Sequence, residues 1–447
     1  MPDPTSTASN KLQDENPTLG WMYEQITGDE DARVCKDIPD TSCQHLPRNF
    51  FAYLFANLLS KLADELSSAR LILPWLLGVL GAPATFTGFL VPIREAGVLV
   101  PQLFIAAYIR RLAIRKGVWL LGAALSAGAL LFMALSVQSL QGSAAGWSII
   151  LLITVYSVAR GFCSVSAKDV LGKTVSKTRR GVLMGYSASI AGVLTLALGF
   201  YINNLGQQAD VDLLVVMLLA AAGIWVVAMV IFAVIREAPG ATENGGNAFA
   251  TAVKSMGILF TDAGFRQFVI ARTLLLSIAL APPFYVLLAQ QHSSGVVGLG
   301  LLIIASGLAG SLSAPVWGKL SDRSSRWVMV IAAGLAGTTG IITWLLDRTD
   351  LAMMHSIWTY AVLFFLIAVF HGGVRLGRKV YLVDMATTEN RSTYVAVSNT
   401  VIGVAMLAGG LFGVIGDLFS TGSTIAILGL LSIIAALYIA RIPEVSG

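Results

Sequence analysis

Charged residues are scarce in this sequence. Only 12% of its 447 residues are Asp, Glu, Lys or Arg, while 56% are hydrophobic. A soluble protein carries about a quarter charged residues, so this composition excludes an ordinary soluble domain. Apolar runs of nearly 20 residues recur from Phe50 to the C-terminus, and each is long enough to cross a bilayer as a helix. The predicted fold is an all-α integral membrane protein.

Cysteine is also rare. Cys35, Cys43 and Cys163 are too few for a disulfide scaffold. Cys35, Cys43 and His45 lie close together, but three ligands at this spacing match no standard zinc pattern. We therefore predict no metal site and no cofactor, and we interpret this stretch as part of an ordered cap.

Motifs of enzymatic chemistry are missing as well. The sequence has no GxxxxGK[ST] stretch to cradle nucleotide phosphates and no evident nucleophile triad. We predict that the protein is not an enzyme. If it is a transporter, it uses an ion gradient or the gradient of its own substrate.

About twelve apolar segments are present instead, and we predict a transmembrane helix for each. The predicted spans are 50–80, 84–109, 117–138, 147–167, 181–203, 212–235, 265–289, 296–317, 328–346, 355–379, 392–415 and 421–440. A Gly- and Asn-rich break after Arg236 separates two groups of six. The predicted divisions are an acidic tail (1–49), an N-terminal half (50–236), a linker (237–264), a C-terminal half (265–441) and a C-terminus (442–447).

Basic residues alternate from one connection to the next. The stretch from Arg110 to Lys116 is strongly basic, whereas the next connection, "QSLQGSAAG", has no charge. By the positive-inside rule, the basic connections and both termini are cytoplasmic, and the protein is a multi-pass protein of the cell inner (plasma) membrane. The high pI reflects loops that face anionic lipid rather than nucleic acid.

The two groups of six are related by a shift of 211 residues. This shift places Arg326 on Arg115 and His371 on Arg160, at equivalent helix positions. Two parallel six-helix halves explain these matches.

One charged turn carries a family resemblance. "GKLSDRSSRW", residues 318–327, resembles the G-x-L-[AS]-D-R-x-x-x-[RK] loop of the major facilitator superfamily, and the likeness extends over about residues 50–441. It implies twelve helices, alternating access and a cytoplasmic gate motif formed by Gly318, Asp322, Arg323 and Arg326. The first-half copy, "AAYIRRLAIRKG", has Ala107 and Arg111 at the Gly and Asp positions, so the gate is implied for the C-terminal half.

Ionisable residues inside membrane helices are costly and mark functional sites. The candidates that we predict for a proton or substrate cavity are Lys61, Asp64, Glu65, Arg94, Glu95, Arg160, Arg272, His371 and Arg375. Asp64 is expected near mid-membrane depth, facing Arg94 or Arg160, and is the first choice of proton carrier, with Glu65 second. A permanent structural ion pair is the alternative. Arg70 is expected nearer the outer end, where it can snorkel.

These features predict a secondary active transporter that is proton-coupled and moves a small solute as a monomer within the bilayer. The buried cations outnumber the acids, which favours an anionic solute. An amphiphile or drug exporter is one alternative. A membrane sensor or scaffold is the other, acting through the N-terminal tail, whose residues 1–48 hold nine acids and four bases.

Overall fold

The computed structural model describes residues 17–27, 38, 43–109, 111–205, 211–240, 242, 256–292, 297–349, 351–387 and 391–445. Over these residues the chain forms helices and no strand. The N-terminal tail contains α1 (Pro17–Thr27). The first half contains α2 (Leu46–Leu66), α3 (Ile72–Val79), α4 (Ala84–Leu99), α5 (Gln102–Ile109), α6 (Lys116–Ser136), α7 (Gly142–Thr174), α8 (Lys177–Asn204) and α9 (Val211–Ala233).

The second half follows the same plan. It contains α10 (Ile258–Thr261), α11 (Ala263–Leu274), α12 (Leu276–Leu280), α13 (Pro282–Gln291), α14 (Val297–Ser321), α15 (Ser325–Asp347), α16 (Ile357–Met385), α17 (Arg391–Gly409), α18 (Phe412–Leu418) and α19 (Thr421–Ile439). A shift of 211 residues moves α6 onto 327–347, close to α15. The predicted arrangement of about twelve membrane segments in two six-helix halves is confirmed.

Ten helical segments are long and apolar enough to cross a membrane as single spans. The other two segments are each divided, the first into α2 and α3 and the second into α4 and α5. The predicted single helix over 50–80 is therefore wrong in detail. Ser67 Oγ donates to Ala63 O at 2.7 Å, and the amide of Arg70 donates to Ser68 Oγ at 3.4 Å. Serine hydroxyls compete with helical backbone bonds in this way, which favours a break.

The outer surface of the helix bundle is apolar. Phe132, Leu151, Val193, Leu312 and Trp358 lie on five different helices and are each more than 60% exposed. A soluble monomer rarely exposes so many large apolar side chains. This surface matches the hydrocarbon core of a bilayer, and the charged side chains of the membrane segments are left to face inward.

The helices end at two faces. We call the face with the α5–α6, α7–α8, α14–α15 and α16–α17 connections the basic face. The face with the α3–α4, α6–α7, α13–α14 and α18–α19 connections is the opposite face. The two halves meet mainly through α8 against α14 and through α4 against α17 and α18.

Near the opposite face, the two halves touch backbone to backbone. A Cβ atom added to Gly88 of α4 would lie 2.6 Å from Gly410 O, and one added to Gly300 of α14 would lie 2.6 Å from Asn203 N. The Asp417 carboxylate accepts hydrogen bonds from the Ala84 amide at 2.6 Å and from the Thr85 amide at 2.9 Å. These contacts close the opposite face.

The packing between α8 and α14 loosens from the opposite face toward the basic face. Gly199 of α8 and Gly307 of α14 are crowded by side chains of the other half. Nearer the basic face, added Cβ atoms on Gly181, Gly185 and Gly318 would meet nothing within 4 Å. The halves are therefore packed more tightly near the opposite face than near the basic face, and we call the space between them on the basic side the cleft.

We expect Gly88→Ala to destabilise this closed arrangement, because its methyl group would meet the backbone of α18 rather than a movable side chain. Overpacking of this kind costs about 1–3 kcal/mol. Gly185→Ala is the matched control, since it adds the same methyl group to a helix at an open position and should be neutral or stabilising. Thermal unfolding in detergent checks the pair, and an equal midpoint for both variants would contradict the close contact.

Candidate functional site

The charged residues of the membrane segments gather along the cleft. The nine residues that the sequence predicts lie on α2, α4, α7, α11 and α16. Two more join them: Arg70, between α2 and α3, and Arg378, on α16. We call these eleven residues the charged cleft. Lipid cannot compensate an ionised group, so the polar faces of these helices turn toward one another.

Asp64 is the centre of the N-terminal part of the charged cleft. Its carboxylate accepts two hydrogen bonds from Arg160, Nε to Oδ1 at 3.1 Å and Nη2 to Oδ2 at 2.7 Å. Arg94 Nη2 donates to Oδ1 at 3.0 Å, and Tyr156 Oη donates to the same oxygen at 2.7 Å. One carboxylate thus joins α2 to α4 and α7.

Aromatic side chains hold this cluster in place. Trp225 Nε1 donates to Tyr156 Oη at 3.2 Å. The Arg160 guanidinium lies 4.6 Å from the centre of the Trp225 ring, and that of Arg94 lies 5.3 Å from the Tyr156 ring. Cation–π contacts and charge-assisted hydrogen bonds together fix both arginines. This geometry favours the structural ion-pair interpretation of Asp64.

Glu65 is placed differently. Its side chain is exposed in the cleft, and its carboxylate makes no hydrogen bond to the residues that the structure describes. Asp64, Arg70 and Arg375 are the charges that act on it. Lys61, one turn earlier, instead donates to Ser187 Oγ at 3.1 Å. Glu65 is therefore an exposed acid without a direct partner among the described residues.

Glu95 pairs with Arg70, whose Nη2 donates to Glu95 Oε1 at 2.8 Å. The sequence placed Arg70 near the outer end of a continuous helix. The break between α2 and α3 instead turns it into the interior, toward α4. The consecutive serines at 67 and 68 were the sequence signal for this break.

The C-terminal part of the cleft contains Arg272, Arg375, Arg378 and His371. Arg272 donates from Nη1 to Ser398 Oγ at 2.7 Å and from Nη2 to Asn399 Oδ1 at 2.9 Å. His371 is buried, while Arg375 is exposed in the cleft. The sequence analysis did not select Arg378 as a cleft residue, because it lies at the very end of the predicted span 355–379. In fact α16 continues to Met385, which carries Arg378 into the membrane segment.

Charge is balanced differently in the two halves. Each cleft arginine of the N-terminal half pairs with a carboxylate: Arg70 with Glu95, and Arg94 and Arg160 with Asp64. None of the three arginines in the C-terminal part forms an ion pair with a residue in the described ranges. The cleft therefore has an excess of positive charge, and that excess lies in the C-terminal half.

The gate motif is not engaged across the halves in this conformation. Asp322 and Arg323 are exposed at the basic face, and the Asp322 carboxylate makes no hydrogen bond within the described part of the chain. Arg326 instead binds the C-terminal segment, with Nη1 donating to Ile442 O at 2.9 Å and Nε lying 3.3 Å from Glu444 Oε2. The absence of a contact from Asp322 to the described residues of the first half agrees with the looser packing of the halves near the basic face.

The first half uses a related contact that the sequence did not reveal. Glu237, whose side chain is fully buried, accepts from the amides of Arg115 and Lys116 at 2.9 and 2.7 Å and from Lys173 Nζ at 2.8 Å. A carboxylate is favourable at a helix N-terminus, here that of α6. In each half, an acid that follows the sixth membrane segment binds the start of the third: Glu237 at α6 and Glu444 at α15.

The proposed cap around Cys43 has a covalent constraint, since Cys43 is disulfide-bonded and cannot ligate a metal as a thiolate. Cys35 lies outside the described residues. Among the described residues, no group of three or more His, Cys, Asp or Glu side chains is arranged to hold a metal ion.

Replacing Asp64 should destabilise the protein more than replacing its neighbour. Asp64→Asn leaves Arg94 and Arg160 without a counter-charge inside the membrane segments, and breaking a buried pair costs about 3–5 kcal/mol. Glu65→Gln is the matched control, because it neutralises an acid on the same turn that makes no direct ion pair. Thermal unfolding in detergent measures both. Similar midpoints would contradict the structural role of Asp64.

Comparison with known proteins addresses the whole chain. A family model, the Major Facilitator Superfamily, matches residues 268–446. No curated protein matches the chain. A POT family transporter solved with a thioalcohol-conjugated peptide superposes with a TM-score of 0.68 at 14% identity, covering 91% of this chain and 98% of its own.

Two further solved structures share the fold. The nucleoside transporter NupG has a TM-score of 0.63 at 14% identity, with 88% of this chain and 98% of its own chain covered. The inward open xylose transporter XylE from E. coli has a TM-score of 0.61 at 14% identity, with 89% and 96% covered. The family match thus lies in the C-terminal half, and the fold of these solved transporters extends along the whole chain.

Proposed function

We propose that this protein is a proton-coupled secondary transporter that moves a small anionic solute by alternating access. The observation that carries the proposal is the charged cleft: it lies between two similar halves, opens to one face, and holds more arginines than carboxylates. The solved structures that share its fold include peptide, nucleoside and xylose transporters and a D-xylose-proton symporter. They support a transport function, and the nature of the solute is inferred from the residues of the cleft.

The contacts between the halves support a rocking motion. Near the opposite face, α8 and α14 pack with Gly199 against Ile304 and Gly307 against Leu196. Small residues allow such packed helices to approach closely and to slide. A rotation that separates these glycines would open the opposite face and bring the gate motif around Asp322 against the first half. The structure represents one end of that cycle.

Glu65 is the better candidate for the proton carrier. The sequence favoured Asp64, but two arginines and a tyrosine hydroxyl already bind that carboxylate, and protonation would have to break these contacts. Glu65 faces the open cleft, where water can supply a proton, and it acts electrostatically on Arg375 of the other half. An anionic solute that binds near Arg375 would compete with ionised Glu65. Protonation of Glu65 would remove this competition and so couple the movement of the proton to that of the solute.

Orientation follows from the charge of the connections. We infer that the basic face is cytoplasmic, with both termini on that side of a cell inner (plasma) membrane, because Lys and Arg are retained there. The structure then corresponds to an inward-facing state. The contacts within one chain complete the cleft, which fits a functional monomer.

The alternatives from the sequence gain less support. An exporter of cationic drugs is disfavoured by the excess arginines of the cleft. For the sensor or scaffold hypothesis, the tail contributes one described helix, α1, in which Tyr23 packs edge-on against Phe50 with ring centres 5.2 Å apart. This contact docks α1 on the transport domain.

Glu65→Gln should abolish solute uptake driven by a pH gradient, because the amide cannot carry a proton. It should preserve solute exchange across the membrane at equal pH on both sides, since the amide keeps the shape of the side chain. Reconstituted proteoliposomes permit both assays. Glu24→Gln, at an exposed position of α1, is the control for loss of one carboxylate. Normal pH-driven uptake by Glu65→Gln would refute this assignment.

Deletion of residues 1–45 separates the transporter from the scaffold hypothesis. The charged cleft lies entirely outside this segment, so solute exchange in proteoliposomes should persist. Thermal unfolding of the truncated protein controls for the loss of the Tyr23 contact. Loss of all exchange by a truncated protein that unfolds normally would favour a tail-dependent function.

A further inference from the structure

The C-terminal part of the cleft contains a cation that has no counter-charge among the described residues. Arg272 lies on α11, and its two terminal nitrogens donate to the neutral side chains of Ser398 and Asn399 on α17. Its Nε atom is buried and has no hydrogen-bond partner within the described ranges. A guanidinium offers five N–H donors, so the two neutral partners leave most of its capacity unused.

The charge that acts on Arg272 is a like charge, which raises the free-energy cost of burying its guanidinium. This charge is Arg378 on α16, which is itself mostly buried and repels Arg272. Two like charges removed from water are costly unless an anion compensates them. Across the cleft, the Asp64 and Glu95 carboxylates are already bound to arginines of their own half, and the charge of Glu95 acts on Arg378 but not on Arg272. Arg272 therefore keeps the uncompensated charge, and together with Arg378 it is arranged for an anion that arrives from outside the protein.

The neutral partners orient this pair. Ser398 also donates to Val395 O at 3.2 Å, which fixes its hydroxyl within α17. Asn399 lies beside it on the next residue, so that the two acceptors hold the Arg272 plane against α17. A fork held in one orientation loses less conformational freedom when it binds an oxyanion. This is the geometry of a preorganised site rather than of a solvated surface arginine.

We propose that Arg272 and Arg378, with Ser398 and Asn399 as positioning residues, bind a dianionic phosphoryl group of the transported solute. This inference rests on the proposed transport function and names its substrate class, a phosphate monoester. A single carboxylate would neutralise only one of the two guanidinium groups. A phosphate monoester carries nearly two negative charges at neutral pH, and its three terminal oxygens accept hydrogen bonds from both.

Arg375 serves a different purpose in this arrangement. The charges of Arg70, Glu95 and Glu65 of the other half act on it, so two carboxylates partly compensate its charge. The phosphoryl group would thus bind on the Arg272 side, and the remainder of the solute would extend toward Arg375 and Glu65. Binding and proton coupling are assigned to neighbouring but separate groups.

Equilibrium binding to the purified, full-length protein in detergent tests the subsite, with methyl phosphate, sulfate and acetate as probes. The second ionisation of a phosphate monoester has a pKa of about 6, whereas sulfate stays dianionic between pH 7.5 and 5. Methyl phosphate should bind more tightly than acetate at pH 7.5. Its affinity should fall about tenfold relative to that of sulfate at pH 5, because most of it is then monoanionic. The ratio to sulfate cancels titration of the protein itself.

Variants locate the effect. Arg272→Gln should weaken methyl phosphate and sulfate binding about 10- to 100-fold, as expected for loss of charge-assisted hydrogen bonds. Arg266→Gln, on the same helix but exposed near the basic face, should change neither affinity. Arg272→Lys keeps the charge without the planar fork and should recover part of the loss. This variant keeps the test decisive if Arg272→Gln proves unstable on thermal unfolding.

Each result decides between specific claims. Acetate binding as tight as methyl phosphate binding, or an affinity that is unchanged in both Arg272 variants, overturns the phosphoryl subsite. Solute exchange in proteoliposomes distinguishes this failure from that of the proposed function. If methyl phosphate binds in an Arg272-dependent manner but is never exchanged across the membrane, the subsite stands and the transport function is wrong. If another solute is exchanged and methyl phosphate is not bound, transport stands and the phosphoryl assignment is wrong.

Discussion

An ionised side chain within a bilayer must find its counter-charge inside the protein, and this constraint organises the whole cleft. Asp64 shows its effect most clearly, because one carboxylate neutralises arginines from two other helices and so defines how α2, α4 and α7 pack. Arg70 and Glu95 repeat the principle one turn away. The helices of the N-terminal half are thereby joined by ion pairs as well as by apolar packing.

The C-terminal half departs from this principle in a way that the shared fold does not require. Its helices repeat those of the first half at a shift of 211 residues, yet His371 occupies the position of Arg160, and no carboxylate corresponds to Asp64. The duplicated scaffold has therefore been divided between two tasks. One half pairs its cleft arginines with carboxylates, whereas the three cleft arginines of the other half form no ion pair within the described residues, which is the basis of the proposed anion subsite.

The sequence predicts the fold far better than it predicts the contacts of the cleft. Twelve apolar runs and the alternation of basic connections depend on composition alone, which is why they predict the segments and their order. The break that turns Arg70 inward depends on how two serine hydroxyls compete with the backbone, and apolar periodicity does not report this. Arg378 was missed because the predicted span ended at 379 and α16 ends at Met385, so a residue that lies two turns inside the helix was expected at its end. Which of Asp64 and Glu65 is already bound depends on side-chain geometry across three helices, and one helical face cannot reveal it.

The two faces of the protein are held by different kinds of contact, and this difference bears on how the halves move. At the opposite face, the Asp417 carboxylate caps α4 from the other half, so it helps to close the cleft only while the halves touch there. At the basic face, Glu237 caps α6 within the first half, and Glu444 binds Arg326 within the second half. A rocking motion of the halves would leave both contacts intact. Contacts that persist keep each half rigid, and contacts between halves are the ones exchanged. Within the described residues the Asp322 carboxylate has no such partner, so it could accept hydrogen bonds from a helix N-terminus of the first half, as the Asp417 carboxylate does from that of α4 at the opposite face.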